Sequence, residues 1–293
     1  MVKKDFLTKL KQKGVIFADG AMGTLLQEKG LSPGAAPEEW NLSHQEEILS
    51  VHQSYLKAGA EIILTNTFGA NRLKLRKVSL EKKTKELNCA GVEIAQKAIE
   101  NFPDCYLAGD IGPSGELIQP LGKASAEEIY EVFTEQSTIL ANAGVEIIIL
   151  ETFTSLQEIE IAARAVKENT KLPLITSLSF FGGIRTIMGD RIKDIIEHLE
   201  KYADVLGSNC GEGVEEIIKV INEFHKFTKK PLIAKPNAGR PVLKDGKTIF
   251  KEKPFFFADK ISPLINSGVK IIGGCCGTTP AHIQAMVERY ETR

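Results

Sequence analysis

Short runs of valine, isoleucine, leucine and alanine recur eight times along this chain, and they are continuous rather than alternating with polar residues. Uninterrupted runs of this length predict strands buried on both faces, as in a parallel sheet. They fall at residues 15–19, 61–66, 106–110, 146–151, 174–179, 205–209, 232–235 and 270–272. Amphipathic stretches with helix punctuation lie between them. Ser43, Ser125 and Ser155 each stand three residues before a glutamate (Glu46, Glu128, Glu158), the spacing of a capping box. Gly59, Gly144 and Gly268 each separate a helical stretch from a strand, which predicts helix stops in the left-handed conformation.

Eight alternations predict an α/β fold, a (β/α)8 TIM barrel forming one domain over residues 1–293. No glycine-rich dinucleotide turn or phosphate loop is present, which argues against an open nucleotide-binding sheet. The polar, glycine-containing stretch 239–254 after the seventh strand is expected to form a loop or small hairpin over the barrel mouth. A net charge of −1 leaves no basic footprint for nucleic acid or an anionic membrane. No stretch approaches the roughly 18 apolar residues of a spanning helix. The start, Met1-Val2-Lys3-Lys4-Asp5-Phe6, has no apolar signal core. Five cysteines, an odd number, argue against a closed disulfide framework and place the chain in a reducing cytoplasm.

The chemistry concentrates at the ends of the strands. Gly273-Gly274-Cys275-Cys276-Gly277 follows the eighth strand and precedes Thr279-Pro280, a helix start. Neighbouring strand residues point to opposite faces, so both sulfurs reach one point only where flanking glycines let the backbone depart from a strand. Cys210 ends the sixth strand in Ser208-Asn209-Cys210-Gly211. Three thiols at loop-side strand ends suggest a three-thiolate metal site with an open position. Asp19, Asn66, Asp110, Glu151 and Asn237 end other strands, and in such barrels these ends form the active face. Asn237, on the strand between the thiol-bearing ones, is a candidate fourth ligand or orienting residue. The turn Asp19-Gly20-Ala21-Met22 is expected beside the metal, its amides facing an anion such as a carboxylate, while Glu151 suits an ammonium. Together these describe a site for an amino acid whose sulfur reaches the metal. Cys89 and Cys105 read as ordinary thiols, and none of the five histidines is assigned to the metal. A redox pair, a barrel lyase using Lys235 as a Schiff-base lysine, and a thiol sensor without turnover remain the alternatives.

These motifs together resemble the homocysteine S-methyltransferase family. The matching segments are Asp19-Gly20-Ala21-Met22-Gly23-Thr24, Thr65-Asn66-Thr67-Phe68, Gly109-Asp110-Ile111-Gly112-Pro113, Glu151-Thr152-Phe153, Asn209-Cys210, Pro236-Asn237-Ala238-Gly239 and Gly274-Cys275-Cys276-Gly277-Thr278-Thr279-Pro280. Their spelling is most similar to the homocysteine-binding module of cobalamin-dependent methionine synthase. Two loops depart from that pattern, at Thr186-Ile187-Met188-Gly189-Asp190 and Gly211-Glu212-Gly213.

The resemblance implies one zinc ion per chain, held by Cys210, Cys275 and Cys276. It also implies homocysteine as substrate, its amino group meeting Asp19 and Glu151 and its carboxylate meeting amides around Gly20, Ala21 and Met22. The expected reaction is methylation of the substrate sulfur to methionine. The favoured donor is methylcobalamin on a separate corrinoid protein or domain, and betaine or S-methylmethionine is the alternative. Folate, corrinoid and reactivation modules are not expected within these 293 residues, so the chain either stands alone or is a fragment.

Overall fold

The computed structural model describes residues 5–244 and 247–292; residues 1–4, two residues of the 239–254 stretch and Arg293 lie outside them. Eight parallel strands appear where the apolar runs predict them: β1 (Ile16–Phe17), β2 (Ile62–Leu64), β3 (Tyr106–Ile111), β4 (Ile147–Phe153), β5 (Leu174–Leu178), β6 (Val205–Cys210), β7 (Leu232–Pro236) and, after a hairpin, β10 (Val269–Ile272). They pair in the order β1-β10-β7-β6-β5-β4-β3-β2. A parallel bridge between Ala18 and Ile62 joins the two ends of that order and closes the barrel. The amides of Asp19 and Glu61 seal the same seam, donating to Ile62 O at 3.0 Å and Phe17 O at 2.7 Å. The fold is the expected (β/α)8 barrel.

Alternation along each strand sorts the core into two parts. Ile16, Ala18, Ile62, Leu64, Ile147, Ile149, Ile175, Val205, Ile233 and Ile271 fill the barrel interior, while a larger cluster lies between strands and helices. The helix Phe6–Gln12 closes the amino-terminal end of the barrel; sequence pattern had assigned no element there. Asp5 caps it by accepting from the Thr8 amide at 3.0 Å, and Phe6 packs edge-on against Tyr106 at 5.6 Å. With that end plugged, the interior opens only at the carboxyl ends of the strands.

The helix punctuation is partly as expected. Ser125 and Ser155 accept from the amides of Glu128 and Glu158. Glu158 does not complete a box, because its carboxylate accepts from the Ser114 amide and hydroxyl. Ser43 is no cap. It ends the short helix Trp40–Ser43 and donates to Glu39 O, and His44 precedes the helix Gln45–Lys57 instead. Thr279 forms a box closed by His282 rather than by an acid. Gly59, Gly144 and Gly268 take positive φ as predicted.

The 239–254 stretch contains an antiparallel hairpin, β8 (Val242–Lys244) and β9 (Lys247–Ile249). Its return strand brings Phe250 against Gly277, where a Cβ would lie 2.1 Å from the Phe250 ring. Among the described residues, no helix is long and apolar enough to cross a membrane.

Candidate metal centre and substrate cavity

The sulfurs of Cys210, Cys275 and Cys276 lie within 4.8 Å of one another, and among the described residues they form the one cluster of potential metal ligands. A tetrahedral zinc with sulfurs at about 2.3 Å needs sulfur–sulfur edges of about 3.8 Å, so modest inward movement of the side chains suffices. Local backbone explains the convergence. Cys210 has φ +60° and is followed by Gly211 at +74°, a pair of left-handed residues that turns the thiol off the line of β6. After β10 the chain is knitted to its neighbours: Gly274 N donates to Asp19 O at 2.9 Å, and Cys275 N to Pro236 O at 2.8 Å. Gly277, at φ +78°, then reverses it into the final helix.

Hydrogen bonds from Cys275 and Cys276 pull Cys210 down to about 3. The same bond to Cys210 pushes Cys275 up to about 12 and raises Cys276 as well. A cluster in which one sulfur accepts from two neighbouring thiols is a donor set suited to a soft divalent metal such as zinc. All three cysteines also line one cavity.

That cavity has a volume of about 570 Å³ and is lined by the three cysteines together with Asp19, Asp110, Glu151 and Lys235. Lys235 is buried and donates to Glu151 Oε2 at 2.7 Å. Burial disfavours its charge, yet Glu151, Asp19 and Asp110 together hold it above the ordinary lysine value. A lysine engaged in a buried ion pair with Glu151 is a poor Schiff-base nucleophile, which argues against a barrel lyase. Burial also raises the carboxyls. Asp19 moves up to about 7 against the opposing pull of Lys235; Asp110 and Glu151 are raised by burial too, Asp110 also by the charge of Glu151. Asp19 Oδ2 accepts from the Leu64 amide at 2.8 Å, whereas Asp19 Oδ1 and Asp110 Oδ1 are buried with no hydrogen-bond partner. Two unsatisfied carboxylate oxygens call for a cationic donor.

The turn at Gly20, Ala21 and Met22 lines the same cavity. It is pinned by residues that sequence reasoning did not single out: Tyr55 Oη donates to Ala21 O at 2.8 Å, and the Ala21 amide donates to Thr278 Oγ1 at 3.1 Å. The Ala21 amide is therefore already engaged. Gly20 is required by space, since a Cβ there would meet Thr278 Oγ1 at 2.5 Å and Tyr55 Oη at 2.8 Å.

Other strand-end residues play different parts. The Asn66 amide nitrogen donates to Pro37 O at 2.8 Å and Asn41 Oδ1 at 2.9 Å, strapping a loop over the cavity. Asn237 donates to Gly211 O at 2.8 Å and bonds Cys210, an orienting arrangement behind the thiol, with its Oδ1 unpartnered. Asn209, quoted only as part of a motif, is central. Its Oδ1 accepts from Thr152 N at 2.8 Å and Ser177 Oγ at 2.7 Å, and its Nδ2 donates to Thr152 Oγ1 at 2.7 Å. Thr152 sits at φ +65°, unusual for a β-branched residue, where the β4–β5 register shifts between Leu150 and Phe153. Asn209 thus clamps the strained residue that aims Glu151. Asn209→Ala is expected to lower stability by about 1–3 kcal/mol in denaturant unfolding, because it orphans buried polar groups. An unchanged midpoint would contradict the clamp.

Comparison with known proteins agrees with this geometry. A family model described as homocysteine S-methyltransferase matches residues 16–290. The chain is 28% identical over 297 residues to the methionine synthase of Mycobacterium leprae, covering 96% of this chain and 24% of that protein. With the methionine synthase of Mycobacterium tuberculosis the identity is 29%, covering 96% and 25%. The chain thus spans about a quarter of the length of the methionine synthases it matches. The crystal structure of the metallated homocysteine methyltransferase MmuM from Escherichia coli is similar with a TM-score of 0.82 at 25% identity, covering 96% of this chain and 98% of that one.

Proposed function

We propose that this chain, which belongs to the homocysteine S-methyltransferase family, methylates the sulfur of homocysteine to give methionine at a zinc site formed by Cys210, Cys275 and Cys276. The observation that carries the reading is the placement of three convergent sulfurs on a cavity whose wall also presents two unpartnered carboxylate oxygens. Bound zinc, held by these three cysteines, would supply a Lewis acid that makes a thiol easier to ionise near neutral pH. The residues of the chain do the rest. Asp19 and Asp110 receive the substrate ammonium with their free oxygens, and Glu151, fixed by Lys235, completes that wall. The Gly20 and Met22 end of the first turn faces the substrate carboxylate. Held at both ends, the substrate keeps its sulfur against the cysteines, and the effect is chiefly one of orientation. The sulfur lone pair then forms the new S–CH3 bond, the donor–CH3 bond breaks with its electron pair leaving on the donor, and the thiol proton passes to solvent.

Methylcobalamin on a separate corrinoid protein or domain is the first reading for the donor, supported by the likeness to methionine synthases. A small onium donor such as betaine or S-methylmethionine is the second, favoured by a cavity larger than homocysteine alone fills. The test is metal analysis of purified protein followed by incubation with homocysteine and each of methylcobalamin, betaine, S-methylmethionine and methylfolate. One metal per chain and methionine from at least one donor are expected. Metal-loaded protein that binds homocysteine yet yields no methionine from any donor would favour a thiol sensor instead.

A further inference from the structure

The cavity has an outer end that homocysteine does not explain. It is walled by Gly34, Glu38, Phe68, Lys74, Lys77 and Val78. The basic residues here differ in one respect. Lys77 donates to Gly115 O and pairs with Glu116 at 3.1 Å, and Arg72 pairs with Glu135 at 2.9 Å and Glu131 at 3.3 Å. Lys74 has neither an ion pair nor a side-chain hydrogen bond among the described residues. Its ammonium lies 4.3 Å from the centre of the Phe68 ring.

Lys74 is also held in place. Its amide donates to Asn71 Oδ1 at 2.9 Å, which caps the short helix Arg72–Arg76. Phe68 is wedged against Gly112, where a Cβ would lie 2.5 Å from the ring. Glu38, Asp110 and Glu158, and the ammonium of Lys77, act on Lys74 through space, and Glu38 is bonded to the Gly69 amide. Burial lowers the Lys74 pKa and outweighs the pull of those carboxyls, none of which is in direct contact with the ammonium. An unpaired, rigidly carried ammonium on a cavity wall is complementary to an oxyanion.

We propose that Lys74 is a donor-anchoring residue: its ammonium takes an oxyanion of the methyl donor at the outer end of the cavity, so that the donor's methyl faces the three sulfurs. The inference rests on the homocysteine-methylation reading and sharpens its donor. The oxyanion has two possible sources, the carboxylate of a small onium compound or the phosphodiester of methylcobalamin.

The test compares donors with and without the anion: betaine and S-methylmethionine against their primary amides, and methylcobalamin against methylcobinamide, which has no phosphate. Lys74→Met keeps the aliphatic stem over Phe68 and removes the charge; Lys74→Arg keeps a cation. For whichever anionic donor turns over, Lys74→Met is expected to raise the donor KM by about ten- to a hundredfold. The homocysteine KM should not move, the anion-free partner should show no such penalty, and Lys74→Arg should restore most of the loss. The turnover pair that responds identifies the source. An equal penalty for both members of a pair, or none for any anionic donor, overturns the proposal. If wild-type protein makes no methionine from any donor, the methylation reading fails separately. Calorimetric binding of the six compounds then decides: a Lys74-dependent preference for the anionic members upholds the anchor, and its absence overturns it.

Discussion

Cys276→Ser should yield protein that folds but carries little metal and forms methionine about 100- to 10,000-fold more slowly. The magnitude follows from what a Lewis acid contributes at neutral pH, several kcal/mol at about 1.4 kcal/mol per factor of ten. Serine is nearly isosteric, so packing around Gly277 and Phe250 should survive, but its hydroxyl does not ionise to a comparable ligand. Cys210→Ser and Cys275→Ser should behave alike, because all three sulfurs belong to one cluster. Cys89→Ser, outside that cluster, is the control and should retain both metal and activity. Elemental analysis and a methionine assay on the same preparations check this. Retention of metal and turnover in any of the three variants would remove that residue from the site.

Lys235→Met should cost about 3–5 kcal/mol of folding stability in denaturant unfolding, the usual penalty for removing one partner of a buried pair. Lys235 is 2% exposed and faces three carboxyls, so its loss leaves Glu151, Asp19 and Asp110 without their shared cation. The pair can be separated from its surroundings by a double-mutant cycle. Lys235→Met combined with Glu151→Gln should recover much of the stability, since a neutral amide needs no counter-charge. Glu151→Gln alone should raise the homocysteine KM steeply while leaving metal content intact. Additive losses in the double variant would mean that the 2.7 Å contact is not energetically coupled. An unchanged homocysteine KM in Glu151→Gln would take Glu151 out of the substrate wall.

The barrel was legible because buried parallel strands write themselves as continuous apolar runs, and each of the eight runs overlaps an observed strand. The thiol cluster was legible because the side chains involved are rare and stand at strand ends, where topology brings them together. Lys235 was harder to place. It sits inside an apolar strand, where a lysine reads as either a catalytic amine or an exception, and its role depends on Glu151, 84 positions away. Asn209 and Thr152 were hidden for a related reason: the clamp between them exists only through a strained φ and a register shift, neither of which has a residue signature. Ser43 misled because a second short helix, Trp40–Ser43, occupies the place where a cap was expected.

The bond from the Ala21 amide to Thr278 joins residues 257 positions apart, and it lies on the same seam as the Asp19–Gly274 contact. Pairings of such long range close late in folding, after the local βα units have formed. Cys210 at the end of β6 and Cys275 and Cys276 just after β10 bracket β7 beside that seam, so a metal bound by the proposed site would stabilise barrel closure and be stabilised by it. A metal-depleted chain should therefore breathe first at this joint. Amide exchange at Ala18, Ala21 and Gly274 would then report the loading state of the protein, even in the absence of substrate.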